Sequence, residues 1–181
     1  LERMERMDRP SGIDDANTFF IASLGFAQGY DRGNAMRSDL DRIRALPGVV
    51  AATATNTVPV SNGGWSTGFD TEPLDESGTR ESKGVALYFV DEQGVDAFGV
   101  KLVEGRNFRA DEVLDLTQDS GIPAKVVIVT EALAKALYPD SSAIGKPVYG
   151  LANDNEAVTI VGVMQRMQQP WPSSPDITTD S

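Results

Sequence analysis

The sequence predicts a mixed α/β fold (α/β, or α+β in its layering), and three observations predict it. Apolar runs of strand length recur at residues 18–24, 49–58, 84–90, 126–129 and 158–164. Between the first two, Met36, Leu40, Ile43 and Leu46 follow one another at helical spacing. Punctuation falls where such elements must end, at Pro47-Gly48, Gly99 and Pro139-Asp140. At 181 residues, 40% of them apolar, the chain can bury a real core as one domain or as two small lobes.

Taken in order, residues 1–9 place Leu1, Met4 and Met7 on one face and pair Glu2 with Arg6 and Glu5 with Arg9, which predicts a short helix. Pro10 and Gly12 break it. Residues 18–24 read as a strand, and residues 25–34 as a glycine-rich loop. Residues 34–46 read as an amphipathic helix stopped by Pro47-Gly48, and residues 49–58 as a strand with threonines at 53, 55 and 57. These three elements make a β-α-β unit, whose connection suits parallel strands. Residues 58–82, rich in Pro, Gly, Ser and acids, are irregular, with a short strand near 68–71. Residues 84–90 (GVALYFV) are apolar on both faces and predict a buried strand. Asp91 then caps a short helix closed by Gly99. A strand and turn follow in VKLVEGRNF, an acidic loop spans 110–123, and VVIVTEALAKALYPD predicts a strand leading straight into a helix. VTIVGVM predicts a second buried strand, and residues 165–181 a polar, proline-broken tail.

Charge narrows the function. The net charge is −11, and residues 70–119 hold 13 acids against 5 bases, a local −8. Such a surface repels phosphate backbones, so nucleic acid is not an expected partner. The chain has no cysteine and no histidine, which removes thiol chemistry, thiolate metal sites and every Ser-His-Asp arrangement. The lysines at 83, 101, 125, 135 and 146 show no S-x-x-K spacing, and no phosphate-binding glycine motif occurs. Asp111, Asp115 and Asp119 offer oxygen ligands without the glycine and twelfth-position glutamate of a calcium loop. The acid pairs Asp75/Glu76, Asp91/Glu92 and Asp111/Glu112 leave open a carboxylate-dependent hydrolase, although sequence neighbours rarely face one site. Catalytic residues, cofactor and metal ligands are therefore all expected to be absent. The aromatic side chains in polar, glycine- or proline-rich surroundings, Trp65, Phe69 and Trp171, are the candidate partner-binding residues, since such rings bury much area with few torsions to freeze.

Four segments in order carry a resemblance: ALPGVVAATATNTVPVS (45–61), YFVDEQGVDAFGVKLVEGRNF (88–108), VVIVTEALAKALYPDSSAIGKPV (126–148) and VTIVGVM (158–164). Within them stand Leu46-Pro47-Gly48-Val49, Gly105-Arg106 with Phe108, Leu137-Tyr138-Pro139, Ile144-Gly145-Lys146 and Ile160-Val161-Gly162-Val163, and just after the first segment stands Gly63-Gly64-Trp65. This ordered set resembles the extracytoplasmic core domain of MacB-type ABC transporter permeases, the FtsX-like group. The resemblance implies two small lobes. Residues 1–14 would be a stalk helix continuing from an upstream transmembrane helix. A porter-like β-α-β lobe would span 15–84 with an irregular loop at 58–82, and a mixed α/β, sabre-like lobe would span 85–164. Residues 165–181 would be a tail or the start of a missing porter half, leaving an unpaired strand edge in the first lobe.

It further implies a cell-membrane location with this domain on the periplasmic side. The implied partners are a cytoplasmic ATP-binding subunit or domain, a second permease and a periplasmic adaptor (membrane fusion protein). The implied function is coupling of ATP hydrolysis to periplasmic motion in export. Alternatives within the same fold are mechanotransmission or lipoprotein release of the FtsX and LolC/LolE kind. Outside it stand the carboxylate hydrolase and a ligand-binding sensor with the 58–82 loop over a pocket.

Overall fold

The computed structural model describes residues 10–21, 31–78, 81–114, 124–151 and 155–171. The organising element is the strand Val158–Met164, in which five of seven residues are buried. Its β-branched, two-faced apolar sequence suits a central strand, packed on both sides. In chain order the elements are α1 (Arg32–Arg44), β1 (Trp65–Phe69), β2 (Lys83–Leu87), α2 (Gly94–Phe98) and β3 (Leu102–Gly105). There follow a 3₁₀ turn (Ala110–Glu112), β4 (Val126–Thr130), α3 (Glu131–Leu137), β5 (Pro147–Val148) and the central β6 (Val158–Met164).

β4 lies parallel to β6, with Val126 opposite Thr159 and Thr130 opposite Met164. β5 pairs antiparallel with the start of β6, and β3 antiparallel with its end, where Gly105 faces Gly162. A second, two-stranded sheet joins β1 to β2 antiparallel, Trp65 opposite Leu87 and Phe69 opposite Lys83. Asp70 and Tyr149 exchange backbone hydrogen bonds and tie the end of β1 to the end of β5.

The strand-to-helix unit forms as its sequence predicts. Thr130 ends β4, and its Oγ1 accepts the N–H of Leu133 at 3.2 Å, capping α3. α3 buries Leu133 and Leu137 against Val129, Val148, Val158, Ile160 and Val163, and Phe69 and Val85 of the two-stranded sheet join the same core. A smaller core gathers Phe98, Val100 and Met167 with Ile13, Tyr88, Val95 and Met164 around them. α2 ends as expected on Gly99, whose φ of 64° is the left-handed conformation a C-terminal glycine supplies.

Several expectations are corrected. The parallel crossover runs through residues 126–164, not 18–57. Residues 18–21 form no strand, and 22–24 lie outside the described residues. Residues 49–58 join no sheet, because side chains replace the ladder. The Ala52 N–H donates to Gln93 Oε1 (3.3 Å) and the Asp91 N–H to Thr53 Oγ1 (3.2 Å). The Asn56 amide gives to Leu87 O (3.0 Å) and accepts from the Phe89 N–H (2.8 Å).

Residues 84–90 are not a strand buried on both faces: β2 stops at Leu87 and only Val85 is fully buried, since a two-stranded sheet covers one face at most. The predicted 165–181 tail is also corrected in its first part. Met167, Gln168, Gln169 and Pro170 are buried, and this stretch stitches distant segments together. Gln168 donates its N–H to Ser11 O at 2.7 Å and accepts from the Tyr88 hydroxyl at 2.5 Å.

α1 begins two residues before its expected start, capped by Asp31. Its Arg44 forks onto Ala52 O at 2.6 and 3.0 Å and onto Asp91 at 2.5 Å. Of the expected stalk helix at 1–14, residues 1–9 lie outside the described residues, as do residues 115–123 of the acidic loop and residues 172–181, and residues 10–14 form no helix. Among those described, no helix is long and apolar enough to cross a membrane.

Candidate functional site

Trp65 opens β1 on a loop whose conformation is closely held. The Thr57 hydroxyl bonds Ser61 Oγ (2.9 Å) and Gly63 O, and Ser61 Oγ donates to Gly63 O at 2.9 Å. Two backbone bonds then pin the loop to the buried stretch after β6: Val60 N–H to Gln169 O (3.2 Å) and Asn62 N–H to Pro170 O (2.9 Å). The grip matters because Val60 and Asn62 sit at φ of 59° and 61°. A β-branched residue in that region is strained, and only an over-determined surround keeps it there.

The held loop presents Trp65 with 64% of its surface exposed, edge-on to Phe89 at 5.6 Å between ring centroids. Trp171, half-buried, follows Pro170, whose ring packs beside Gly64. The structure thus carries Trp65 and Trp171 on neighbouring backbones of one platform. Phe69 is not part of that surface. It lies at the far end of β1, 3% exposed, inside the main core, and its reading as an exposed anchor is corrected. β1 runs from rim to core, so two aromatics four residues apart meet opposite fates. Phe89 is the contact that sequence reasoning missed, because YFV reads as the middle of a buried strand.

Behind Trp65 lies a cavity of about 890 Å³, walled by β1, β2, β4, α2 and the residues after β6. Phe98, Phe108, Leu133, Met164 and Met167 supply apolar walls, and among the described residues Glu112 is the one charged side chain lining it. Arg106 holds that carboxylate through two hydrogen bonds of 2.6 and 2.7 Å, and the backbone N–H of Arg109 adds a third at 2.9 Å. The Arg106 hydrogen bonds, opposed by burial and helped by the Arg109 N–H, pull the Glu112 carboxyl from 4.5 down to about 2.

A group with a depressed folded pKa stabilises above its unfolded value and loses that contribution as pH falls through the folded one. Stability is therefore expected to fall between about pH 4.5 and pH 2, and Glu112→Gln to flatten that part of the acid limb. Urea midpoints measured at pH 5.5, 3.5 and 2.5 check it; an unchanged slope in the variant would assign acid sensitivity to other carboxylates.

The acid pairs raised as hydrolase candidates separate accordingly: Glu112 is committed to Arg106, and Asp91 to Arg44 and to the turn before α2, where it accepts the Gln93 N–H at 3.0 Å.

A family model described as the MacB-like periplasmic core domain matches residues 3–179. The chain belongs to that family. It is accordingly a MacB-like periplasmic core domain of an ABC transporter permease. Among the solved structures similar to this chain are two transporter domains. The extracellular domain of the noncanonic ABC-type transporter YknZ from Gram-positive bacteria is 18% identical, with 72% of this chain and 57% of that one covered and a TM-score of 0.46. The periplasmic region of MacB from Actinobacillus actinomycetemcomitans is 20% identical, with 97% and 68% covered and a TM-score of 0.48. The chain thus spans between about half and two thirds of the length of these relatives. Among curated proteins, none matches the sequence significantly.

Proposed function

We propose that this core domain is a non-catalytic lever and docking surface of its permease, at the periplasmic side of the cell membrane. In this reading it couples ATP hydrolysis by a cytoplasmic subunit or domain to motion outside the membrane, within a permease dimer. It also docks a periplasmic adaptor protein during export. Motion passes as rigid-body displacement of packed elements, since well-packed cores move as blocks. A division into two lobes at 84/85 would cut β2, so the β1–β2 hairpin travels with the second lobe.

The observation that carries the docking role is Trp65, two-thirds exposed on a loop whose strained residues are pinned from two sides. A rigid aromatic loses little entropy on binding and buries a large area, the profile of an interface anchor. Trp65→Ala is expected to weaken adaptor binding by about 2 kcal/mol while leaving the melting temperature within a degree or two. Calorimetry of the variant against the adaptor's extracytoplasmic region, beside a thermal melt, measures both. A large fall in melting temperature with binding unchanged would make Trp65 a cover for the cavity and nothing more. Steady hydrolytic turnover by the purified domain would overturn the non-catalytic part.

A further inference from the structure

One helix and the strap that follows it belong to neither core. From residue 33 to residue 56 no side chain is buried, and the apolar stripe of α1, Met36, Leu40, Ile43 and Leu46, joins neither hydrophobic cluster. A row of side-chain hydrogen bonds fastens this stretch to the turn between β2 and α2. Arg44 grips Ala52 O and the Asp91 carboxylate, Gln93 Oε1 accepts the Ala52 N–H, and Thr53 Oγ1 accepts the Asp91 N–H. Asn56 closes the row, donating to Leu87 O and accepting the Phe89 N–H. With side-chain exposures of 22% and 19%, the Arg44–Asp91 pair is shielded enough to hold more firmly than a surface ion pair.

Segments with few buried apolar contacts and partly solvated hydrogen bonds open locally, well below the free energy of global unfolding. The next residue is of the other kind. Thr57 is buried, and its hydroxyl bonds Ser61 Oγ and Gly63 O of the loop that presents Trp65. A solvated strap therefore meets a buried anchor between Asn56 and Thr57. Asn56 also holds the N–H of Phe89, the ring that stands edge-on to Trp65 at 5.6 Å.

We propose that α1 and residues 49–56 form a releasable arm, clasped by Arg44 on Asp91 and hinged at Thr57, and that Asn56 is the positioning residue through which release reaches Trp65. With the arm closed, Phe89 is held and the Trp65 indole has a ring at its edge. With the arm open, Phe89 loses its backbone partner and Trp65 its ordered neighbour. Each bond of the clasp has a side chain at one end, so the arm can leave without unzipping a strand ladder. The inference goes beyond the docking reading and needs it only for a consequence: an anchor ordered by the arm would bind its partner tightly only with the arm closed.

The test uses the 181-residue chain carrying Trp171→Phe, which leaves Trp65 as its one tryptophan. Amide exchange at Ala52, Phe89 and Asp91 is read against Ile160 of the central strand, and Trp65 by acrylamide quenching of its fluorescence. The three amides are expected to exchange about a hundredfold faster than Ile160. Asp91→Asn keeps the acceptor for the Gln93 N–H and loses the ion pair. In it Ala52 and Phe89 should speed up together, about tenfold, with Ile160 unmoved and Trp65 more readily quenched. Asn56→Ala should free Phe89 and Trp65 in the same way, and Asn56→Asp, which keeps the acceptor for the Phe89 N–H, should restore both. Three amides as slow as Ile160 would overturn the arm, as would Ala52 and Phe89 responding separately to Asp91→Asn. Faster exchange of Phe89 in Asn56→Ala with Trp65 quenching unchanged would overturn the positioning role. No readout uses the adaptor, so failure of the docking reading leaves the arm standing, and failure of the arm leaves the docking reading standing.

Discussion

Ile160→Ala is expected to cost about 4 kcal/mol of folding stability. Ile160 is wholly inaccessible, at 0% exposure, in the middle of the central strand. Its backbone anchors the β5 side as well, donating to Lys146 O at 3.0 Å and accepting the Gly145 N–H at 2.8 Å. The truncation removes three carbons from the place where β4, β5 and α3 converge. Those neighbours are paired or helical, so they cannot collapse into the void, which puts the cost at the upper end of the usual range for such a change. Ile160→Val, one methylene smaller, is expected to cost about 1 kcal/mol. Urea denaturation of both variants checks the pair, with the slope unchanged and only the midpoint moving. Equal, small losses in the two would mean that the core around β6 is loosely packed, and the whole sheet would then lose its organising strand.

What the sequence made legible is the part whose local and tertiary preferences agree. VVIVT and VTIVGVM are β-branched runs, the second buried on both faces, and Thr130 is both a good strand end and a good helix cap, so period, length and capping pointed one way. The 49–58 segment shows the limit of that signal. Alternating threonines look the same whether the backbone pairs with a strand or the side chains do the pairing, and here Thr53 and Asn56 take partners that a ladder would have used.

Residues 167–170 were opaque for another reason. Two glutamines and a proline are a surface composition, yet Gln168 and Gln169 are buried because their main chains bond the Tyr88 hydroxyl and the Val60 N–H, a tertiary fact with no local signature. The aromatic anchors divide along the same line. Glycine and asparagine before Trp65 signal a presenting loop, whereas nothing local distinguishes Trp65 from Phe69, which shares its strand and its face parity. Burial there depends on which end of β1 meets α3.

The second large effect is expected at Gly105, where β3 crosses β6. Gly105 has φ of 75°, follows a register shift between Leu102 and Glu104, and faces Gly162 across the ladder. A methyl group at Gly105 would overlap the Val161 carbonyl oxygen and stand 2.6 Å from Ile144 Cδ1. One at Gly162 would stand 2.5 Å from Arg106 O. Both glycines are therefore needed for the two backbones to approach, and the obstructing atoms are mostly main chain, which cannot rotate aside. Gly105→Ala is expected to lose about 3 kcal/mol, roughly half from the left-handed conformation and the rest from displacement of β3.

Gly145→Ala separates the two contributions. Its φ is 78° but nothing lies near the added methyl, so that variant should lose only the conformational part, about 1–2 kcal/mol. Displacement has a second consequence, because Arg106 follows Gly105 and carries the fork onto Glu112. If β3 moves, that fork opens and the Glu112 carboxyl returns toward its ordinary range, so Gly105→Ala should also flatten the acid limb between pH 4.5 and 2 while Gly145→Ala leaves it intact. A Gly105→Ala chain as stable as Gly145→Ala, with its acid limb unchanged, would mean that β3 yields without letting go of Arg106. The backbone bond from the Arg106 N–H to Val161 O, and not the glycine pair, would then be what fastens this edge to the central strand.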